Sequence, residues 1–177
     1  MNNYLLSLWR NRQGMAITEF ALLLPILILI WGGIVELSTA HFVGRKVALA
    51  TQSVADLVAQ ERSVTTALLD NNVRAGAAIL FPYPANTLSF QIQSIVSDGN
   101  GKIKSDWLHT APITSQGSGS IPPEARNLLT KNDSTIYVKV DYRHTPVLGS
   151  LIPGFENFSI TEEAFAKPRR TNIIPKN

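Results

Sequence analysis

The chain has 177 residues with sixteen Lys and Arg against thirteen Asp and Glu, a formal charge of +3, and no cysteine. Bases and acids are interspersed beyond the first forty residues, so nothing in the charge pattern points to a nucleic-acid-binding face. The lack of cysteine excludes disulfides and thiolate metal sites, so any folded domain must be held by packing alone. The first element is a short basic stretch carrying Arg10 and Arg12 and ending at Gly14. From Ala16 to Val35 the chain then reads AITEFALLLPILILIWGGIV, with Glu19 as its only charge. Twenty helical residues span roughly 30 Å, the thickness of a bilayer's hydrocarbon core. A carboxylate inside such a run is unfavourable by a few kcal/mol, so Glu19 is a functional candidate. The plainer alternative places it among headgroups at the helix start, where the macrodipole favours an acid.

Arg10 and Arg12 precede the apolar run with no acid beside them, and Glu36 follows it, so the positive-inside rule puts the amino terminus in the cytoplasm. Tyr4 and Trp9 fall at that headgroup layer and Trp31 toward the opposite one. Pro25 removes the donor for the carbonyl of Ala21 and predicts a kink over 21–25, which membrane helices tolerate. Gly32-Gly33 marks a hinge or a close helix contact.

Helical spacing continues beyond the anchor. Phe42, Val43, Val47, Leu49, Ala50, Val54, Leu57 and Val58 recur with polar residues between them, extending the same helix to about Gln60. Ser63 or Thr65 is placed to cap a second helix, with Leu68, Leu69, Val73, Ala77, Ile79 and Leu80 on its apolar side, Asp70-Asn71-Asn72 as a potential break, and Pro82 and Pro84 as its stop. From Thr87 the period becomes two. Leu88, Phe90, Ile92 and Ser94 form one phase, Asp98-Gly99-Asn100-Gly101 is a strong turn, and 103–108 completes a hairpin. Residues 115–123 read as a polar loop. Ile136, Val138, Val140 and Tyr142 alternate clearly, and Phe158, Ile160, Glu162 and Ala164 do so more weakly. Two helices followed by about four strands predict an α+β domain, a meander-like antiparallel sheet with the exterior part of the first helix packed on it.

No catalytic motif emerges. His41, His109 and His144 lack the spacing that puts two ligands on one helical face and are expected to be surface or structural residues, not a metal site. There is no nucleophile elbow, phosphate loop or dinucleotide fingerprint. Glu162 and Glu163 would point to opposite faces of a strand, so they are not an acid dyad. The serine- and glycine-rich stretch around Gly117 and Gly119 lacks the lysine and helix of a phosphate cradle. No enzyme activity, metal or cofactor is expected.

The order of the first segment resembles a type IV prepilin-like signal: a basic leader, a glycine, then an apolar helix with an acid near its start. An ordinary secretory signal is cut after its apolar segment, whereas the site of this layout, Gly14|Met15, lies before it. The stretch RNRQGMAITEFALLLPILILIWGGIVELS is similar to the start of the TadE-like family, pseudopilins of the tight-adherence (Flp) pilus system. Gly14, Glu19-Phe20, Pro25 and Gly33-Ile34-Val35-Glu36-Leu37 carry the likeness. Arg45-Lys46-Val47, 54–60 and Pro168-Arg169-Arg170 add to it.

The resemblance implies a leader over 1–14, a transmembrane and assembly helix over 15–36, and a periplasmic domain over 37–177, roughly 140 residues and enough for one modest core. Cutting would make Glu19 the fifth mature residue, one turn from a new amine at Met15. Amine and carboxylate would neutralise each other, within one subunit or between neighbours, and remove much of the cost of burying the acid. Phe20 would pack beside it. The implied role is a structural minor pseudopilin of the inner membrane, open to incorporation into an extracellular pilus. Its partners would be the prepilin peptidase, other pseudopilins, the major pilin and the inner-membrane assembly platform, within the lipid bilayer. The rival reading is an uncleaved, single-pass anchored binding module.

Overall fold

A computed structural model describes residues 13–112, 119–146 and 157–177. The leader residues 1–12, with Tyr4, Trp9, Arg10 and Arg12, and positions 115–118 of the polar loop lie outside the described residues. Helix α1 runs from Gln13 to Ala59 as one element and passes through Pro25. The apolar side chains from Met15 to Val35 are largely exposed. Among the described residues this is the one helix long and apolar enough to cross a membrane, with a mean hydropathy of 2.4 in its most apolar stretch, which is compatible with a single-pass anchor.

Burial begins at Gly32 and Glu36. Further along, Val43, Val47, Ala50, Val54 and Val58 are completely buried. Their spacing of three and four residues keeps them on one side of a 3.6-residue helix. The apolar positions read from the sequence therefore divide into two faces, because Phe42 and Leu49 are more than half exposed and Leu57 is 39 % exposed.

Helix α2 spans Thr66–Ala78, and the choice of cap falls on Thr65, whose Oγ1 accepts from Leu68 N at 3.2 Å. Asp70-Asn71-Asn72 does not divide it, since Leu69 and Gly76 bury one continuous face. Gly76 permits the contact with α1, because a Cβ there would lie 2.6 Å from Val54 Cγ2. Lys46 closes the far end of α2 by donating to the carbonyls of Ile79 at 3.1 Å and Phe81 at 2.9 Å, where a helix's free carbonyls favour a cation.

Strands β1 (Leu88–Ser97), β2 (Ile103–Ala111), β3 (Ser134–His144) and β4 (Phe158–Ala166) form one antiparallel sheet of order β2-β1-β3-β4. The expected meander is thus corrected: β3 pairs with β1, not with β2. The reason lies in the side chains. Strand β1 is buried along nearly its whole length and suits the centre, whereas Lys104, Ser105 and Asp106 on β2 are exposed and suit an edge. A short helix α3 (Ala125–Leu128), not foreseen in the sequence, lies in the connection between β2 and β3.

The sheet's first face carries Leu88, Phe90, Ile92, Ile136, Val138, Val140 and Tyr142 into one core with the buried stripe of α1. A register shift between Ser94 and Ile95 turns Ile95 to the other face, where it meets Tyr137 and Ala125 of α3. After β4 the chain crosses back over the helices. Arg169 N donates to Ala59 O at 2.9 Å, Ile174 is fully buried, Trp107 Nε1 donates to Ile174 O at 2.7 Å, and Val64 forms a parallel bridge with Lys176.

Two lengths coincide in this arrangement. The part of α1 from Glu36 to Ala59 covers roughly 35 Å, and β3 covers roughly 33 Å. One end of β3, His144, meets Glu36. Its other end, at Ser134 and its partner Val96, lies beside the chain that returns to Ala59. One end of the head thus lies at the exposed apolar stretch of α1 and the other is remote from it.

Candidate functional site

The residues singled out in the sequence sit on the exposed length of α1. Gly14, Met15, Glu19 and Phe20 occupy its first two turns, with Met15 57 % and Phe20 58 % exposed and Glu19 also exposed. Met15 and Glu19 are four residues apart and so share a helical face. Thr18 Oγ1 donates to Met15 O at 2.8 Å. A Cβ built on Gly14 would meet nothing within 4 Å. The fold therefore places no steric demand for glycine at that position, and a requirement for it would come from something that reads the segment. Pro25 follows on the same exposed length and interrupts the ladder without ending the helix.

The structure joins two histidines to acids that sequence spacing did not connect. His144 Nε2 lies 3.1 Å from Glu36 Oε1, and both side chains are almost wholly buried. The imidazole is flanked by Phe158, ring centroids 5.1 Å apart, and Tyr142, at 6.4 Å. This contact fixes the end of the exposed apolar stretch of α1 to the end of β3 and, through Phe158, to the start of β4. A signal for it existed. His144 is in phase with Ile136, Val138, Val140 and Tyr142, so extending the alternation by one step would have put it on the face toward α1. Glu36 is the first acid after the apolar run.

The second contact links α2 to the edge strand β2. His109 Nε2 is 3.0 Å from Asp70 Oδ1, a contact of ion-pair distance without hydrogen-bond alignment. Burial pushes the His109 imidazole below its ordinary value, and the nearby Lys176 acts in the same direction, against the pull of Asp70. His109 and His144 are buried, while His41 is exposed. Among the described residues no three of His, Cys, Asp and Glu converge in a way that could hold a metal ion. Glu162 and Glu163 do diverge as expected. Glu163 faces Lys139 at 3.8 Å, and Glu162 lines a groove beside Arg45 and Ile160 between α1 and β4.

An exposed apolar helix that continues into the core of an α+β head is an arrangement compatible with a single-pass membrane anchor carrying a folded head. The family described as TadE-like protein matches residues 14–56, from Gly14 through the exposed helix and most of its buried stripe. Over this segment, about a quarter of the chain, the protein is similar to the TadE-like family. No curated protein and no solved structure matches the chain.

Proposed function

We propose that this protein is a structural minor pseudopilin, made as a precursor, cut between Gly14 and Met15, and drawn through its apolar helix into assembly of a tight-adherence pilus. The observation that carries this reading is the coincidence of the TadE-like match with an exposed apolar helix that bears Glu19 one turn beyond Met15. The leader would hold the amino terminus in the cytoplasm, leaving the head on the periplasmic side of the inner membrane.

After cleavage the Met15 amine and the Glu19 carboxylate neutralise each other, in one subunit or across two, so the acid is carried in hydrocarbon at reduced cost. Phe20 packs beside the pair. The prepilin peptidase reads Gly14, and other pseudopilins, the major pilin and the membrane platform meet the helix. The head performs no catalysis and needs no cofactor in this role.

The deciding experiment is the intact mass and N-terminal sequence of the protein from envelopes of cells with and without their prepilin peptidase. A mature form beginning at Met15 only when the peptidase is present is the expected result. Retention of Met1 to Gly14 in both would make the protein an uncut, anchored binding module and leave Glu19 without this role.

A further inference from the structure

The end of the head remote from the anchor carries a groove of about 420 Å³, lined by Gly101, Lys102, Ile103, Ile121 and Arg126. It lies where the β1–β2 turn approaches α3, and so on the opposite side of the sheet from α1. Its chemistry is mixed. Ile103 and Ile121 are partly buried and pack against the small core of Ile95, Ala125 and Tyr137. Lys102 and Arg126 are exposed, and neither enters an ion pair among the described residues.

Some other bases at this end are matched to acids, whereas Lys104 and Lys131, also exposed, enter no ion pair among the described residues. Lys167 holds Asp133 at 2.7 Å and Arg169 holds Asp56 at 2.8 Å. Of the acids near the groove, Asp98 is committed to its own turn, where Oδ1 accepts from Asn100 N at 2.9 Å and Lys102 N at 2.8 Å. Glu124 precedes α3 and is exposed. The turn itself is fixed by those two bonds and by Gly101 at φ 79°, a left-handed position that glycine adopts without strain. The basic side of the groove is thus built on a set backbone.

We infer that this groove binds a short acidic segment of a partner polypeptide, its carboxylates on Lys102 and Arg126 and an apolar side chain over Ile103 and Ile121. The volume falls in the range of sites that enclose a small ligand or a few side chains. The guanidinium supplies the planar fork that a carboxylate accepts, and the ammonium adds a point charge beside it. A lipid headgroup is disfavoured by position, because the groove stands on the order of 30 Å from the anchor's exit along the head. The inference does not rest on processing at Gly14 and holds for a cut or an uncut chain.

The test is titration of the detergent-solubilised full chain, labelled with ¹⁵N, with N-acetyl-Leu-Glu-Glu and, separately, with the neutral N-acetyl-Leu-Gln-Gln amide. The acidic peptide is expected to give saturable shifts at the amides of Gly101, Lys102, Ile103 and Arg126. The neutral peptide, and the acidic peptide on the K102Q/R126Q variant, should bind roughly tenfold more weakly or not at all. Both substitutions are at exposed positions, so an unchanged spectrum away from the groove will show that the variant is folded. Equal binding of the two peptides, unchanged binding to the variant, or shifts that never saturate would each overturn the inference.

Discussion

Glu36 and His144, 108 residues apart in sequence, meet at 3.1 Å in a buried contact at the point where the apolar helix enters the head. An acid and an imidazole taken out of water are stable there only together, because removing either leaves a polar group buried with a partner lost. Glu36→Ala and His144→Ala are each expected to destabilise the head by about 3 kcal/mol. The double variant should cost much less than the sum of the two, since the contact can be lost only once. Denaturant unfolding followed by tryptophan fluorescence in detergent measures all three, and strict additivity would show that the pair is not energetically coupled.

Gly76 and Gly44 make a contrasting pair on neighbouring helices. A methyl at Gly76 would stand 2.6 Å from Val54 Cγ2 and 3.3 Å from the Phe90 ring, whereas at Gly44 the nearest atom, Ile160 Cγ2, is 4.0 Å away. Gly76→Ala should therefore cost about 1–3 kcal/mol through overpacking. Gly44→Ala should be neutral or slightly stabilising, because alanine is the better helix former. Thermal melting of the two variants side by side checks the ordering, and the reverse order would refute the packing described here.

Acid should weaken the head through His109. Burial holds this imidazole below its ordinary value near 6.5, so the unfolded chain takes up its proton first as the pH falls. Stability from the neutral imidazole is full above about pH 6.5 and falls progressively from there down to the lowered folded value. Asp70 opposes the effect and Lys176 adds to it. In His109→Gln the slope of melting temperature against pH over this window should flatten. A slope identical to that of the unaltered chain would assign the acid response to other groups.

Glu19 is exposed on the bare part of α1, so Glu19→Gln should leave the folded head unchanged. If the charge pairs with the amine of a cut Met15, the variant should still be processed in cells but be recovered in pili several-fold less than the unaltered protein. Gly14→Ala should give the complementary result, a folded head with an uncut leader, because a Cβ at Gly14 meets no atom within 4 Å. Immunoblots of envelope and sheared-pilus fractions separate the two outcomes. Normal incorporation of Glu19→Gln would remove the charge-pairing role.

The helices and strands were legible because their patterns are local. The stripe of Val43, Val47, Ala50, Val54 and Val58 and the alternation from Ile136 to Tyr142 each announce a face. What the local pattern could not carry was which strand lies beside which. The hairpin turn at 98–101 predicts the β1–β2 pair, yet the placement of β3 against β1 is decided by burial of β1 on both sides, a property of the assembled sheet. The shift at Ser94 was invisible for a related reason: Ser94, Ile95 and Val96 break the alternation, and only the opposing strand shows which face each takes. Of the candidate site, Gly14, Met15, Glu19 and Phe20 were legible as sequence features of one exposed helix. The partners of His144 and His109 were not, because contact across 108 or 39 positions leaves no spacing to read.

The segment that follows β4 has a consequence for the order of events in the cell. Ile174 fills the core beneath Trp107, and Val64 finds its backbone partners at Pro175 and Asn177. Ile174, Pro175 and Asn177 come from chain made after all three described helices and all four strands. A growing polypeptide therefore contains its apolar helix long before the head can close. The sheet stays incomplete, with Val64 and Trp107 uncovered, until that final crossing is available. The apolar helix is thus complete well before the chain that closes the head, an order set by the position of one isoleucine.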